Sequence, residues 1–260
     1  MRNYKKIVSL LLFLPLVFAA CNKDNLDARK AMHVVVNGYN GSENALLITI
    51  DTTAYKGNRV LTPVSKFEMS AVYAYPGNLA QKIVTVTDTV SKKVIFTKPL
   101  PDNGTKAAIN FLYIHDKVME ITPPPADTAT NKLGFYIHYS DNETPVDIFL
   151  YRLDNTSGQE YKVYLAKNVK PGSWIYTNYL AGNDFGDKNL LDDGSSLCFT
   201  KAGTTDQWAF EDNENKSRIS VKGMGLPLAG EKGFVQPYFI TPGIFQLDYA
   251  RMFFHPDRVR

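Results

Sequence analysis

Along this chain, apolar and polar residues alternate over short runs, and Gly, Pro, Asn and Asp interrupt the runs at short intervals. Val34-Val35-Val36 opens the pattern, and Asn37-Gly38-Tyr39-Asn40-Gly41 closes that run with residues that favour turns. Leu46 to Ile50 is the next run, followed by Phe67 to Tyr75 and the break at Pro76-Gly77. Lys82 to Thr87, Val94-Ile95-Phe96 and Ala107 to Ile114 complete the first part. No stretch keeps the 3.6-residue period of an amphipathic helix, so the period of two predicts strands. About seven short strands over roughly ninety residues, spaced by turn signals, predict an all-β domain over residues 32–121, a β-sandwich of immunoglobulin-like type.

Thr122 to Asn131 contains Pro123-Pro124-Pro125. Consecutive prolines cannot sit in a central strand, and they stiffen a segment into an extended spacer. Residues 122–131 therefore read as a linker, with a second sandwich over residues 132–260. Positions after the linker repeat positions before it. Leu46, Ile48 and Ile50 answer to Val146, Ile148 and Leu150, and Val34 and Val36 answer to Phe135 and Ile137. Pro76-Gly77 is matched with Pro171-Gly172, and Asp102-Asn103-Gly104-Thr105 with Asp192-Asp193-Gly194-Ser195. Matches kept in one order predict an internal duplication, two tandem sandwiches. Beyond Phe199 the second copy reads as carrying an extension: a charged loop from Glu211 to Lys216, a strand from Arg218 to Val221, a glycine-rich stretch to Gly233, Phe234 to Ile240, and a last strand after Thr241-Pro242-Gly243. In that last strand Phe245, Leu247, Tyr249, Arg251 and Phe253 are expected on one face.

The start of the chain changes what this fold is expected to do. Arg2, Lys5 and Lys6 precede an apolar run from Ile7 to Phe18, and Ala19-Ala20 supply the small residues of a processing site. That is a secretory signal over residues 1–20, too short for a spanning helix. Phe18-Ala19-Ala20-Cys21 resembles a bacterial lipobox, with Phe18 in the place usually held by Leu. The resemblance implies acylation of Cys21 and anchoring to a membrane by its acyl chains, each buried methylene contributing roughly 0.8 kcal/mol. Residues 21–31 then read as the lipidated cysteine and its tether. Asn22-Lys23-Asp24-Asn25 resembles the export signal of surface lipoproteins of Bacteroidota, which implies the outer membrane and the cell surface.

Charge narrows the partners. The chain carries 29 basic and 26 acidic residues, and loss of the signal sequence with its three basic residues leaves 26 of each. A mature chain without net charge argues against nucleic acid, which needs a basic face. Only Cys21 and Cys198 are present. With Cys21 acylated no disulfide can form, and Cys198, between Leu197 and Phe199, is expected as a small buried hydrophobe in a strand.

The unit of an apolar strand, a short polar turn, Val146-Asp147-Ile148-Phe149 and a later Pro171-Gly172 before another strand resembles a recurrent domain family of unknown function in Bacteroidota lipoproteins. The likeness covers residues 32–115 and 133–200. It implies tandem immunoglobulin-like sandwiches and brings no catalytic residues.

Candidate chemistry is sparse. His33, His115, His138 and His255 show no metal-ligand spacing, and Asp184, Asp187, Asp192 and Asp193 lack the calcium-loop pattern, so no metal or cofactor is expected. No nucleophile elbow, phosphate loop or zinc-protease helix occurs. Asp51-Thr52, Asp88-Thr89 and Asp127-Thr128 match the O-glycosylation sequon of Bacteroidota, which makes Thr128, in the linker, and Thr52 and Thr89, beside strands, candidate modification sites. Aromatic residues are the remaining lead. Trp174 and Tyr176 fall on one face of a strand and Tyr179 on the other, while Trp208 lies in a polar region. Flat rings of this kind stack on sugars, so these four are the candidate ligand-binding residues, against the simpler role of core filling. The composite expectation is a non-catalytic envelope lipoprotein that binds glycan or a protein partner. The alternatives are a subunit of a surface fibre, with the last strand donated to a neighbour, and a polysaccharide hydrolase with two opposed carboxylates.

Overall fold

The computed structural model describes residues 29–54, 60–77, 81–139 and 144–252. The signal sequence, Cys21 with its lipobox, the export signal, Phe253 and His255 lie outside the described residues. No helix among the described residues is long and apolar enough to cross a membrane.

The fold is nearly all β. Nine strands precede the proline segment: β1 (Arg29–Asn40), β2 (Leu46–Ile50), β3 (Thr53–Ala54), β4 (Val60–Leu61), β5 (Ser65–Pro76), β6 (Ile83–Asp88), β7 (Val94–Pro99), β8 (Lys106–Ile114) and β9 (Lys117–Glu120). Eight follow it: β10 (Asn131–Ile137), β11 (Val146–Leu153), β12 (Glu160–Val169), β13 (Trp174–Tyr179), β14 (Ser195–Lys201), β15 (Arg218–Ser220), β16 (Val235–Pro242) and β17 (Leu247–Arg251). β5 shows why the alternating runs become strands. Phe67, Met69, Ala71, Tyr73 and Tyr75 point into a core, while Glu68, Ser70, Val72 and Ala74 between them are exposed. A pleated strand sends neighbours to opposite faces, so this pattern buries one side and wets the other.

The first set forms two sheets, ordered β5-β1-β8-β9 and β3-β2-β6-β7, with β4 also on β2. The second set forms two sheets ordered β13-β10-β16-β17 and β12-β11-β14-β15. The expected β-sandwich class holds for both, and the two share one connectivity. β1 lies antiparallel to β5 and parallel to β8, just as β10 lies antiparallel to β13 and parallel to β16. The partner sheets match likewise: β2 pairs β6 and β6 pairs β7, as β11 pairs β14 and β14 pairs β15.

This correspondence corrects the way the duplication was read. The matches of β1 with β10 and of β2 with β11 are structurally equivalent. The other two are not. Pro76-Gly77 follows β5, whereas Pro171-Gly172 precedes β13, the counterpart of β5. Asp102 to Thr105 precedes β8, and Asp192 to Ser195 precedes β14, the counterpart of β6. Residues after Phe199 are therefore no extension. β15, β16 and β17 take the places of β7, β8 and β9, and the second copy needs them to close its sheets.

Each sandwich has its own core. Val34, Ile48, Met69, Val86 and Phe111 meet in the first, and Phe135, Ile148, Phe199, Tyr238 and Ile240 in the second. A third apolar cluster joins them. Tyr39, Leu112, Ile114 and Ile121 come from the first sandwich and its exit, and Tyr136, Phe239, Ala250 and Met252 from the second. Tyr39 stacks on Phe239 with ring centroids 4.4 Å apart. The Asn37 amide donates to the Arg251 carbonyl, and Lys66 pairs with Asp248 at 2.9 Å, across the same junction. The proline segment does not hold the sandwiches apart, because they pack together on an apolar seam.

Candidate functional site

Three of the four aromatic candidates belong to this packing. Tyr179 is buried in the second core. Trp174 and Tyr176 do share a face, as the period of two requires, with rings stacked at 6.0 Å. That face looks toward the seam, where Trp174 also meets Tyr136 at 5.5 Å. The Tyr176 ring lies so close to Gly134 that a β-carbon there would come within 2.5 Å of it. Burial pushes the Tyr176 and Tyr179 hydroxyls up to about 12, so both stay protonated. Trp174 Nε1 and both hydroxyls are buried without hydrogen-bond partners. Tyr179 fills the second core, while Trp174 and Tyr176, each half-buried, pack on the opposite face of β13.

Trp208 is different. It sits on the outer face of the sheet β12-β11-β14-β15, held by a bridge to Thr200 and by its backbone N–H donating to Asp212 at 2.9 Å. Beneath it the sheet register builds two rows. Tyr164, Phe149, Cys198 and Arg218 line up across the four strands, and Lys162, Tyr151, Ser196 and Ser220 form the next row. These point outward because Ile148, Leu150, Leu197 and Phe199, the residues alternating with them, fill the core. The result is a pocket of about 240 Å³. Its floor is Phe149, Tyr151 and Cys198, and its sides are Trp208, Glu160, Lys162, Glu214 and Arg218.

Tyr151 donates to Glu160 at 3.1 Å, and burial followed by that carboxylate raises its hydroxyl above the ordinary phenol range. Arg218 pairs with Glu214 at 2.7 Å and donates to Ser196 Oγ at 3.0 Å. The Lys162 ammonium stands 3.8 Å from the Phe149 ring centre and 4.9 Å from that of Tyr164. Lys167 approaches Tyr164 from 4.2 Å. Cys198 is 1% exposed, and burial pushes its thiol up to about 12, so it remains a neutral apolar floor and no nucleophile.

The other candidates are placed as follows. Thr128 and Thr52 are exposed, and Asp127 beside Thr128 accepts from Ala129 N–H in a tight turn. The Thr89 hydroxyl instead donates to the Ala45 carbonyl at 2.8 Å, which ties it into the fold. Among the described residues no group of three or more His, Cys, Asp or Glu side chains is placed to hold a metal. Asp187 caps the short helix Lys188–Asp192 by accepting from Asn189 N–H. The last strand is not free for donation: β17 pairs with β16, with Leu247 in the second core and Ala250 and Met252 in the seam. Phe245 does not share the face of Leu247, since it lies in the turn before the strand and is 85% exposed.

No family model matches the chain, and no curated protein matches it. Among solved structures, a candidate cell adhesion protein from Bacteroides uniformis aligns at 12% identity and a TM-score of 0.29, over 88% of this chain and 98% of that one. A second candidate cell adhesion protein, from Bacteroides ovatus, aligns at 9% identity and a TM-score of 0.26, over 90% and 99%. A family CBM26 module of Eubacterium rectale Amy13K, solved with maltoheptaose, aligns at 13% identity and a TM-score of 0.23, over 88% and 98%. Likeness at this level carries no weight on ligand or partner. The pocket has to be read from its own residues.

Sequence reasoning picked Trp208 and missed its neighbours. The signal was present in β11, where Val146-Asp147-Ile148-Phe149-Leu150-Tyr151 places Phe and Tyr on the side that should be polar. In β12, Lys162 and Tyr164 repeat this on the adjacent strand. Large apolar rings on the solvent side of an alternating strand need a cover or a ligand.

Proposed function

We propose that the chain is a non-catalytic binding protein of the bacterial envelope, anchored through Cys21, displayed on the cell surface, and binding glycan on the outer face of its second sandwich. The observation that carries this reading is the pocket under Trp208, which combines aromatic surfaces with side chains able to donate and accept hydrogen bonds. Sugar recognition needs that combination, apolar ring faces for the C–H side of a pyranose and polar groups for its hydroxyls. The pocket is smaller than the roughly 300–1,000 Å³ of a drug-sized site, which suits one sugar ring of a longer chain. Two features favour binding over hydrolysis. Glu160 is engaged by the Tyr151 hydroxyl and Glu214 by Arg218, so neither stands as an unpartnered carboxyl in the pocket wall.

The test is affinity electrophoresis of residues 22–260 through gels carrying host and plant polysaccharides. Retardation by at least one polysaccharide, lost in Trp208→Ala and kept in Tyr164→Phe, is the expected result. No retardation by any of them refutes the reading.

A second reading has its own observation. Ile244 and Phe245 are 81% and 85% exposed at the tip of the β16–β17 hairpin, where the Gly243 N–H donates to the Gln246 carbonyl and closes the turn. Adjacent large apolar residues at a turn tip favour contact with a protein partner. Such a contact would replace strand donation as the route to assembly, since β17 is already committed to its own sheet.

A further inference from the structure

The pocket wall carries two cations, Lys162 and Arg218, and two carboxylates, Glu160 and Glu214, and Lys167 just outside it adds one further positive charge. Glu160 and Glu214 each have a partner within the pocket wall, a tyrosine hydroxyl and an arginine. Arg218 is neutralised by Glu214. Lys162 is held differently. Its ammonium rests against the Phe149 and Tyr164 rings, and among the described residues it forms no ion pair. An aromatic face fixes a cation through its quadrupole without cancelling the charge. Lys167 is placed in the same way on Tyr164, again with no ion pair among the described residues. Two ammonium groups are thus set beside one aromatic surface, neither in an ion pair among the described residues, and Glu160, bonded only to a neutral hydroxyl, offsets one of them in number.

A neutral sugar would leave one of the two positive charges without a carboxylate to answer it. A second cation would meet repulsion and find the ring faces already taken. A carboxylate on a sugar ring answers both constraints, since it can reach Lys162 while its ring lies between Tyr151 and Trp208. We propose that the pocket binds an acidic sugar, a hexuronate residue of a polyanionic glycan, with its carboxylate on Lys162 and Lys167 as the second cation. This rests on the reading of the face as a glycan site and adds the class of glycan. The mature chain carries no net charge, so selectivity for a polyanion has to arise locally at these lysines and not from the protein as a whole.

The experiment compares retention in gels containing polygalacturonate, alginate or hyaluronan with retention in gels containing the methyl-esterified, uncharged form of each. It uses wild type, Lys162→Gln, and Lys188→Gln as a remote lysine control. The expected result is retention by at least one charged polymer and not by its ester. Lys162→Gln should weaken that retention at least tenfold, with an unchanged circular dichroism spectrum, and Lys188→Gln should leave it intact. Equal retention by charged and esterified forms overturns the charge assignment and leaves the glycan reading standing. So does retention by the acid that Lys162→Gln does not weaken. Retention by neither form, together with no retention in the neutral host and plant gels, removes the glycan reading and this inference with it.

Discussion

Truncating Phe239 to alanine should uncouple the two sandwiches while leaving each of their cores intact. β16 sends Tyr238 and Ile240 into the second core and Phe239 to the opposite side, into the seam. Phe239 is 1% exposed, stacked on Tyr39 at 4.4 Å and close to Tyr136 at 5.9 Å and His138 at 5.8 Å. Removing a buried phenylalanine ring costs about 3–5 kcal/mol. The seam is smaller than either core and can relax at its rim, so the lower end, about 3 kcal/mol, is expected here. For a chain of this size that corresponds to a fall of about 6–12 °C in melting temperature. Because the loss falls on the junction, calorimetry should show the single transition of the wild type broaden or divide into two. In a Trp208→Phe background the emission of Trp174, which packs against the seam, should shift to longer wavelength as water enters. A variant that melts in one transition within about 1 kcal/mol of wild type, with unshifted Trp174 emission, would show that the seam contributes little and that the linker alone joins the domains.

The seam should also respond to pH. Burial first, and His115 at 6.0 Å second, hold the His138 ring below its ordinary value of 6.5. The unfolded chain then takes up a proton that the folded chain resists, so stability is full above about pH 6.5 and falls as pH drops below it. His138→Phe should flatten this loss in denaturant titrations at pH 5 to 7, and equal slopes in both proteins would contradict the assignment. At the hairpin tip, Ile244→Ser with Phe245→Ser should leave the melting temperature within about 2 °C of wild type, since both side chains are already in water. If the tip is an assembly contact, light scattering of the wild type at high concentration should show self-association that the double variant lacks; monomers in both would count against that contact.

Local pattern made much of this legible. Alternation in β5 and the break at Pro76-Gly77 announced strands, because a pleat imposes its period on the sequence wherever one face is wet, whereas Asn37 to Asn40, expected as a turn, continue β1 and pair on both sides with β5 and β8. β1 and β16 were harder to read for the opposite reason. Each is central in its sheet, with apolar residues on both faces: Val34 and Val36 enter one core while Tyr39 enters the seam, and Tyr238 and Phe239 divide in the same way. A strand buried on both sides reads as a plain apolar run and does not reveal that its two faces serve different cores. The duplication was visible in β1 with β10 and β2 with β11, where core positions constrain the side chains. It was misread at the proline-glycine and aspartate turns, which recur in any β protein and carry no record of which strand they flank.

The amino-acid sequence alone determined the all-β class and the near balance of 29 basic and 26 acidic residues, and it offered Trp208 as a ring in a polar region. These depend on neighbours in the chain, which composition and periodicity report directly. The tertiary structure decided the rest. It placed Trp174 against the seam, made β15 to β17 integral to the second sandwich, and gathered Phe149, Tyr151, Lys162, Cys198, Trp208 and Arg218 around one pocket. Those residues come from four neighbouring strands and a loop, and only strand register, fixed by pairing across the sheet, brings them side by side.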